Sequence, residues 1–548
     1  MPSPWQLPGI LALATLLRLW RLAAKPLWVD ELYTAFYSQG KSLDVIPFNT
    51  LLPPADYWAL LNNPGNPWQA AQAVTTHSNH PPLFFMAMNG WLHVGGTSVW
   101  NLRAFAVLWG VVAVAGVFYL GRRVGGPENG HRVGMVAALL MAVSPYGIYL
   151  SQEARHYSLA VAIALFALVN WIALLQGERS PQRWLSWIGL NTLGLYAHYF
   201  YSFSLIAQGL VTLISLLWRK PRRHQAIPWL LAMGAIALLY LPWLPTAITH
   251  FQSEGGTDWL NQPHPLWQTL LLPWLQSLAA ALFMLILLPL EQMPLAVKIT
   301  SGLVMLGVFG LVLSQMIRGW RREPLLDLGF PIVSYGLGVF GIILTITYGL
   351  GKDLTLAPRY FFMAYPAVTV VAALVLVRCR RWVVVVAIAA GILSQLFISY
   401  DLALLKPYLP GQVGRRLGAD SSPTIVLIAP QQDNYRARFL SYVLAIPESK
   451  DNGKNNGKDN SRNNIQIAFT PPASPETWQP NLTNQEAISE LISGSIPMDH
   501  LTLWIVEPKR LTPFPLTVTL ANHTCSPMGE RIKTEGTRQQ KYQCSESQ

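Results

Sequence analysis

The sequence Leu27-Trp-Val-Asp-Glu-Leu-Tyr33 follows directly after the first apolar segment of the chain, Ile10 to Ala24. It places two adjacent carboxylates, Asp30 and Glu31, at the mouth of a predicted membrane helix. Ionisable groups at the edge of a bilayer are costly to keep there, and they commonly mark sites of chemistry or ion handling. This pair is therefore the first candidate functional feature of the chain.

The composition around this segment is that of a polytopic membrane protein. Hydrophobic residues make up 52% of the 548 residues and charged residues 12%, whereas soluble domains carry roughly 25% charged residues. Apolar runs near the length of a bilayer span recur up to about residue 400. No small-residue cleavage site follows the first run, so we predict a retained span there rather than a signal peptide.

The net charge of +12 is distributed as a topology signal. Basic residues collect in short hydrophilic segments that alternate with segments poor in cations. These segments include Arg122–Arg123, Arg179–Arg183, Arg219–Arg223, Arg318–Arg322 and Arg378–Arg381. The alternation follows the positive-inside rule, which places these loops in the cytoplasm. We therefore interpret the basic charge as a topology signal; the predicted partners of the protein include membrane lipids and no nucleic acid.

This pattern predicts about 11 spans, with the N-terminus cytoplasmic and the C-terminus external. Residues 266–290 contain Pro273 and Pro289 and are predicted to form a re-entrant or interfacial helix, because a span there would move the Arg318–Arg322 segment outside. The long first external loop, 26–98, is predicted to carry helices in the membrane surface. The predicted spans are 7–25, 99–120, 133–150, 157–175, 184–198, 202–218, 227–245, 297–317, 328–348, 360–378 and 382–400.

A change in composition divides the chain into two predicted domains. Residues 1–405 would form the transmembrane domain, and residues 406–548 a small external α/β domain. Residues 450–464 are rich in Asn, Lys, Gly and Asp, and we predict that they form a disordered insert.

The external domain is predicted from local patterns. Strand-like runs occur at 424–428 and 501–506, and an amphipathic stretch lies near 434–445. Cys525 and Cys544 could form a disulfide if this domain is external, although the sequence alone does not establish the pairing.

Four polar motifs reach the same external face in this topology. Together they bring acids, imidazoles and guanidinium groups to one side of the membrane, which indicates a site. The motifs are Asp30-Glu31; His77-Ser-Asn-His80-Pro-Pro-Leu-Phe-Phe85; Ser151-Gln-Glu153-Ala-Arg155-His156-Tyr157; and Tyr196-Ala-His198-Tyr199 together with Pro358-Arg359-Tyr360.

The group types in these motifs suit the transfer of a sugar from a lipid phosphate. A carboxylate such as Asp30 can deprotonate an acceptor hydroxyl. Arginine binds phosphate oxygens at two points and stays charged, so Arg155 and Arg359, with His80 as a further candidate, would hold an anionic leaving group. The lipid tail would remain in the bilayer while the sugar faces outward.

The order and common side of these motifs resemble the GT-C superfamily of membrane glycosyltransferases, specifically the family 39 group related to protein O-mannosyltransferases and aminoarabinose transferases. The resemblance covers about residues 5–400. The motifs that carry it are Leu-Trp-Val-Asp30-Glu31, His80-Pro81-Pro82-Leu83, Ser-Gln-Glu153-Ala-Arg155-His-Tyr157 and Arg359-Tyr360-Phe361.

The resemblance implies a polyprenyl-phosphate-linked sugar donor, inversion at the sugar carbon and Asp30 as the catalytic base. It implies no required cofactor and leaves a divalent cation open. Relatives commonly carry an acidic residue before the His-Pro-Pro element, where this chain has Asn79. That departure puts a metal or acceptor role at this position in doubt.

Together with what the resemblance implies, the sequence predicts an inverting glycosyltransferase of a bacterial inner membrane that acts at the periplasmic face on a lipid, glycan or protein acceptor. Its predicted site consists of catalytic Asp30 and Glu31, donor-phosphate ligands Arg155, Arg359 and His80, and substrate-positioning residues Glu153, Tyr157, His198 and Tyr360, with no metal ligand assigned.

The same residues also have structural explanations. Asp30 and Glu31 could end a helix, Glu153 and Arg155 could stabilise a tight turn, and Arg359 could anchor its span at the interface. Two other functions fit as well, a transporter or flippase of lipid-linked sugars and a non-catalytic binding subunit. A transporter is expected to carry midplane ionisable residues and internal repeats, and the sequence shows neither pattern.

Overall fold

The computed structural model of the chain consists of two compact units. The first comprises Met1–Leu22 and Ala70–Leu404, and the second comprises Ala23–Gln69 and Leu405–Gln548. The predicted insert 450–464 and the basic segment 219–223 lie outside the described residues. The structure describes residues 6–218, 226–253, 260, 265–322, 326–403, 408–420, 422–430, 434–447, 465–471, 477–483, 501–508, 513–521, 523–534 and 536–546.

Most of the described chain is helical. Short 3-10 helices precede α17, at Leu354–Leu356 and Pro358–Met363. The α-helices are α1 (Gln6–Leu19), α2 (Val29–Ser38), α3 (Pro54–Ala59), α4 (Pro67–His77), α5 (Leu83–Gly95), α6 (Val99–Val124), α7 (Gly126–Val143), α8 (Pro145–Ser151), α9 (Tyr157–Leu175), α10 (Pro181–Ala197), α11 (Tyr201–Trp218), α12 (Ala226–Tyr240), α13 (Leu244–Gln252), α14 (Leu266–Leu285), α15 (Leu295–Arg322), α16 (Leu326–Gly349), α17 (Tyr365–Leu376), α18 (Arg381–Ser399), α19 (Pro410–Leu417) and α20 (Asn434–Val443).

Among the described residues, 7 helices are long and apolar enough to cross a membrane, which confirms the polytopic helical class. The pair α7 and α8, bent by 61°, would make an eighth span. The number of spans stays a prediction, and so does the placement of 266–290. The candidates are Val99–Val124, Tyr157–Leu175, Ala226–Gln252, Trp267–Leu285, Leu295–Gly319, Gly329–Gly349 and Arg381–Ser399.

Helix α9 forms the centre of the first unit. Of its apolar window 83% is buried, against 17% for the candidate span that begins at Ala226. Neighbouring helices α6 and α7 pack closely at glycines: a Cβ at Gly121 would lie 3.0 Å from the Cα of Gly134. Small residues let membrane helices approach in this way. Because α9 is buried among these helices, the turn 152–156 that precedes its N-terminus is held in a fixed position.

The second unit contains a mixed seven-stranded sheet in the order β2-β1-β4-β7-β6-β5-β3. Strand β1 pairs parallel with β2 and β4, whereas β4, β7, β6 and β5 pair antiparallel in succession. The predicted strands at 424–428 and 501–506 are confirmed, and the amphipathic stretch near 434–445 forms helix α20. The strands are β1 (Thr424–Ile428), β2 (Ile465–Phe469), β3 (Thr477–Trp478), β4 (Leu501–Pro508), β5 (Thr517–Leu520), β6 (His523–Thr534) and β7 (Thr537–Glu546).

Residues Ala23–Gln69 pack against this sheet within the second unit. Leu52 forms a β-bridge with Ile467, and the Tyr57 hydroxyl donates to the Ile467 carbonyl at 3.0 Å. A disulfide joins Cys525 of β6 to Cys544 of β7, the pairing that the sequence allowed. Helix α2, which carries Asp30 and Glu31, is therefore part of the same unit as the C-terminal sheet.

Candidate functional site

A buried arginine fills the break between α7 and α8, just before the third polar motif. Pro145 has no N–H to donate to the Met141 carbonyl, so the helix cannot continue through this position. The guanidinium of Arg18, 1% exposed, donates instead to the carbonyls of Met141 at 3.0 Å and Ala142 at 2.8 Å. Arg18 thus supplies the donors that the broken helix lacks.

The end of α1 also fixes the turn that follows α8. Arg18 Nε donates to the Ser151 hydroxyl at 3.2 Å. The Gln152 amide donates back to the carbonyls of Arg18 and Trp20, at 3.0 and 3.2 Å. Contacts in both directions therefore hold the turn 152–156 against the first helix.

This turn presents Arg155 to His80. The turn is tight, since the Arg155 N–H donates to the Glu153 carbonyl at 2.7 Å, and both side chains are buried. Arg155 Nη2 lies 3.0 Å from His80 Nε2. A guanidinium can only donate, so His80 Nε2 accepts and the ring proton sits on Nδ1, which donates to the Ser78 hydroxyl at 2.8 Å. His80 orients Arg155 as a neutral imidazole.

Two further histidines pack against this pair. The His156 ring is completely buried, stacks on the His198 ring at 4.2 Å between centroids, and meets His80 edge-on at 4.8 Å. Burial, assisted by the charge of Arg155, lowers the pKa of His198 to about 3. Burial likewise holds the pKa of His80 and of His156 well below the usual range. Arg155 is therefore surrounded by imidazoles that stay neutral at physiological pH.

Arg359 reaches the same region from the 3-10 helix Pro358–Met363. The Tyr146 hydroxyl of α8 lies 3.1 Å from the carbonyls of Pro358 and Arg359, and the Arg359 side chain hydrogen-bonds to Tyr149. Glu153 is close enough to Tyr149 to act on it electrostatically. Tyr149 is therefore close to both Glu153 and Arg359, two residues of the predicted site.

Ring contacts complete this part of the site. The Phe362 ring packs against the Tyr157 ring, with 5.4 Å between centroids, and against the His198 ring, with 4.6 Å between centroids. The rings of Tyr360 and Phe200 are in contact, with 5.1 Å between centroids. The Arg359 guanidinium carbon lies 5.6 Å from the centre of the Tyr360 ring. The structure thus gathers seven predicted residues in the first unit. They are His80, Glu153, Arg155, Tyr157, His198, Arg359 and Tyr360.

The opposite end of α9 carries a different set of charges. Arg123 and Arg183 both pair with Glu178, which follows the last turn of α9. The histidine–arginine cluster lies at the first turn of α9, so one membrane-length helix separates the two groups. This arrangement agrees with the separation of basic loops from polar motifs that the sequence predicts.

Asp30 and Glu31 occupy the first turn of α2 in the second unit. Glu31 is completely buried, and its Oε2 accepts the Trp28 N–H at 3.4 Å as part of a capping box. Asp30 is only half-buried. Glu31 therefore caps the N-terminus of α2, in line with the structural explanation given above for this pair. Asp30 is the more accessible of the two carboxylates.

Within the part of the chain that the structure describes, no group of three or more His, Cys, Asp or Glu side chains is arranged to hold a metal ion. Two imidazole nitrogens of the cluster already accept protein hydrogen bonds. His80 Nε2 accepts from Arg155, and His198 Nδ1 accepts from the Phe200 N–H at 3.0 Å.

Sequence reasoning missed Arg18 and Tyr149 and assigned no role to His156. For Arg18 a signal existed, because an arginine inside an apolar segment is rare and usually marks a function or a buried partner. Tyr149 and His156 gave no comparable signal, since their importance arises from neighbours that are distant in the sequence.

Residues 79–245 match the family model described as dolichyl-phosphate-mannose-protein mannosyltransferase. The matched segment contains His80, Arg155 and His198. A search of curated proteins finds no match.

The fold is similar to that of ArnT from Cupriavidus metallidurans bound to undecaprenyl phosphate, with 12% identity, 98% of each chain covered and a TM-score of 0.51. The oligosaccharyltransferase of Archaeoglobus fulgidus, crystallised with Zn and sulfate, is 14% identical over 91% of this chain and 68% of that chain. Its TM-score of 0.44 is too low to establish a shared fold. The family-model match supports the resemblance over residues 79–245, and the chain is a membrane protein that shares the fold of ArnT.

Proposed function

We propose that the protein is an inverting glycosyltransferase that moves a sugar from a polyprenyl-phosphate donor to an acceptor. The observation that carries the proposal is the buried cluster in which His80 orients Arg155 and Tyr149 binds Arg359. The match to a mannosyltransferase model supports sugar transfer. The undecaprenyl phosphate bound to ArnT supports a lipid phosphate as the donor group.

Arg155 and Arg359 bind the phosphate of the donor. Each guanidinium is oriented by a neutral partner, an imidazole for Arg155 and a phenol for Arg359. A hydrogen bond to a fixed partner orients a guanidinium, and an oriented guanidinium can bind phosphate oxygens at two points. His80 acts by orienting Arg155, while Glu153, Tyr157, His198 and Tyr360 shape the donor and acceptor sites.

Asp30 takes the proton of the acceptor hydroxyl. As that oxygen forms its bond to the anomeric carbon, the bond from this carbon to the phosphate oxygen breaks and its electron pair leaves with the lipid phosphate. This single displacement inverts the anomeric carbon and needs no cofactor in the step as written. Glu31 supports Asp30 by capping the helix that carries it, because its own carboxylate is buried at the Trp28 N–H. Charge stabilisation of the leaving phosphate supplies much of the rate.

We place the reaction at the external face of a bacterial cytoplasmic membrane, with the sheet of the second unit on that face. The separation of the cluster from Arg123 and Arg183 along α9 supports this orientation, since arginines are enriched on the cytoplasmic side. The disulfide in the second unit is consistent with an oxidising compartment. The acceptor is a lipid, a glycan or a protein with a free hydroxyl.

The test is in vitro transfer from radiolabelled polyprenyl-phosphate sugars by purified protein, with membrane extract as the source of acceptor. Wild type and Asp30→Asn are compared with Asp44→Asn, which changes an exposed acid of the same unit. Full product from wild type and Asp44→Asn, but only residual product from Asp30→Asn, is the expected result. Donor binding without product from any of the three would favour a transporter or binding subunit. Full activity of Asp30→Asn would place the base elsewhere.

A further inference from the structure

A tyrosine from the C-terminal part of the second unit contacts the helix that carries Asp30. The Tyr408 hydroxyl accepts the N–H of Val29, the first residue of α2, at 2.6 Å. N–H groups in the first turn of a helix have no partner within the helix, so an acceptor here fixes the orientation of that turn. Tyr408 is buried, and Val29 directly precedes Asp30.

Tyr408 is itself held in place by helix α20. The Arg438 guanidinium carbon lies 4.6 Å from the centre of the Tyr408 ring, and the Tyr442 ring packs against it at 5.9 Å. The Ser441 side chain hydrogen-bonds to the Tyr408 hydroxyl. Burial, with the charge of Asp30 as a smaller contribution, raises the pKa of Tyr408. The group that meets Val29 is therefore a neutral hydroxyl.

The turn between β6 and β7 brings Gly536 close to the Arg438 guanidinium. Gly536 in this turn has a φ of +79°, and an added Cβ would overlap the Arg438 guanidinium. Arg416 of α19 donates to Thr534 at 3.0 Å and to Gln539 at 2.8 Å, so α19 is tied to the same hairpin. A continuous set of contacts thus runs from the sheet through Arg438 and Tyr408 to the first turn of α2.

We infer that Tyr408 is a positioning residue for Asp30, and that the sheet sets the direction of the catalytic carboxylate through Arg438 and Tyr408. The inference rests on the proposed role of Asp30 as the base. A small misplacement of a catalytic group lowers the rate of the chemical step more than it lowers substrate binding. The C-terminal sheet is then a component of the catalytic machinery rather than an attached module.

The experiment compares Tyr408→Phe with Tyr542→Phe in the full-length protein. Tyr542 is a matched control, because it is also completely buried in the second unit and its hydroxyl donates to the Pro515 carbonyl at 2.8 Å. We expect Tyr408→Phe to lower kcat by about tenfold with the KM for the donor unchanged. We also expect the acidic limb of its pH–rate profile to shift, whereas Tyr542→Phe keeps the wild-type profile.

A second comparison places the effect on Asp30. In an Asp30→Asn background with measurable residual activity, Tyr408→Phe is expected to cause no further loss, because residues that act through one another are not additive. If Tyr408→Phe fails to fold, Arg438→Lys and Arg438→Met take its place: Arg438→Lys, which keeps a cation over the Tyr408 ring, should retain more activity than Arg438→Met.

The outcomes separate this inference from the proposed function. No transfer by the wild-type protein with any donor would defeat the proposed function itself. Transfer by wild type, with equal kinetics for Tyr408→Phe and Tyr542→Phe, would overturn the positioning role and leave the proposed function intact. An equal loss in both arginine variants would count against the positioning role as well.

Discussion

At the residue scale, the candidate site depends on which groups are charged. Arg155 lies among three imidazoles, and the hydrogen bond from its guanidinium assigns the His80 proton to Nδ1. The types of these residues could be predicted from the sequence, because the motifs contain them. Their protonation could not, since it follows from burial and from contacts between His80, His156 and His198 that only the fold creates.

Replacing Arg155 by lysine tests the need for a planar, two-point phosphate ligand. We expect kcat/KM for the donor to fall by roughly 100-fold, because an ammonium group binds phosphate as a point charge and cannot reproduce the guanidinium fork. The measurement is initial rate against donor concentration. Arg183→Lys, at the opposite end of α9, is the control and should remain near wild type. Comparable losses in the two variants would argue against a phosphate site at Arg155.

The buried histidines predict how stability depends on pH. The pKa of His198 is about 3 in the folded chain against an ordinary 6.5, so the unfolded chain takes up a proton first as the pH falls. The contribution of the neutral His198 ring to the free energy of unfolding is therefore fully present above pH 6.5. It declines as the pH falls toward the pKa of about 3 in the folded chain. Thermal unfolding between about pH 8 and pH 5 should show this decline, and His198→Phe should make it less steep, while His80 and His156 keep their contributions. An unchanged slope in His198→Phe would contradict the assignment.

At the element scale, the break between α7 and α8 organises the turn that holds Arg155. Sequence reasoning predicted one span at 133–150, because hydropathy averages over Pro145 and registers no interruption. The local patterns of β1, β4 and α20 were read correctly, since each is short and carries its own periodicity. A broken span is set instead by a distant donor, Arg18, which no local pattern reveals.

Replacing Arg18 by methionine should destabilise the protein by about 1–3 kcal/mol, because the buried carbonyls of Met141 and Ala142 would lose their donor. The measurement is the Tm of the purified protein in detergent or nanodiscs. Arg21→Met is the matched control, since Arg21 is exposed and stacks on Tyr400 at 4.5 Å. Equal Tm values for the two variants would show that Arg18 does not stabilise the break.

At the scale of the whole molecule, composition was sufficient to predict a polytopic membrane protein with a C-terminal α/β part. It could not predict that residues 23–69 fold with residues 405–548. The β-bridge between Leu52 and Ile467 joins positions far apart in the sequence, and such pairings leave no local signal. The sequence analysis assigned residues 26–98 to the domain formed by their neighbours in the sequence. In the structure, long-range contacts group residues 23–69 with the C-terminal sheet instead.

Deleting residues 405–548 should therefore expose the segment 23–69 to proteolysis. In the intact protein, the Lys41 ammonium donates to the carbonyls of Leu60 and Asn62, and Tyr57 is fixed by Ile467. Without the sheet we expect rapid tryptic cleavage after Lys41, because protection reflects local stability. Cleavage at exposed Arg179 in the first unit serves as the internal control and should be unchanged. Slow cleavage after Lys41 in the shortened chain would show that this segment folds without the sheet.

The pairing of Leu52 with Ile467 has a consequence for biosynthesis. A ribosome adds about 5–20 residues per second, so roughly 20–80 s pass between the synthesis of these two positions. During that interval the segment around Asp30 has been made but lacks the strand that completes its fold. In a nascent chain this segment would lack its partner until β2 emerges, and premature termination before β2 would release a chain in which the segment never pairs.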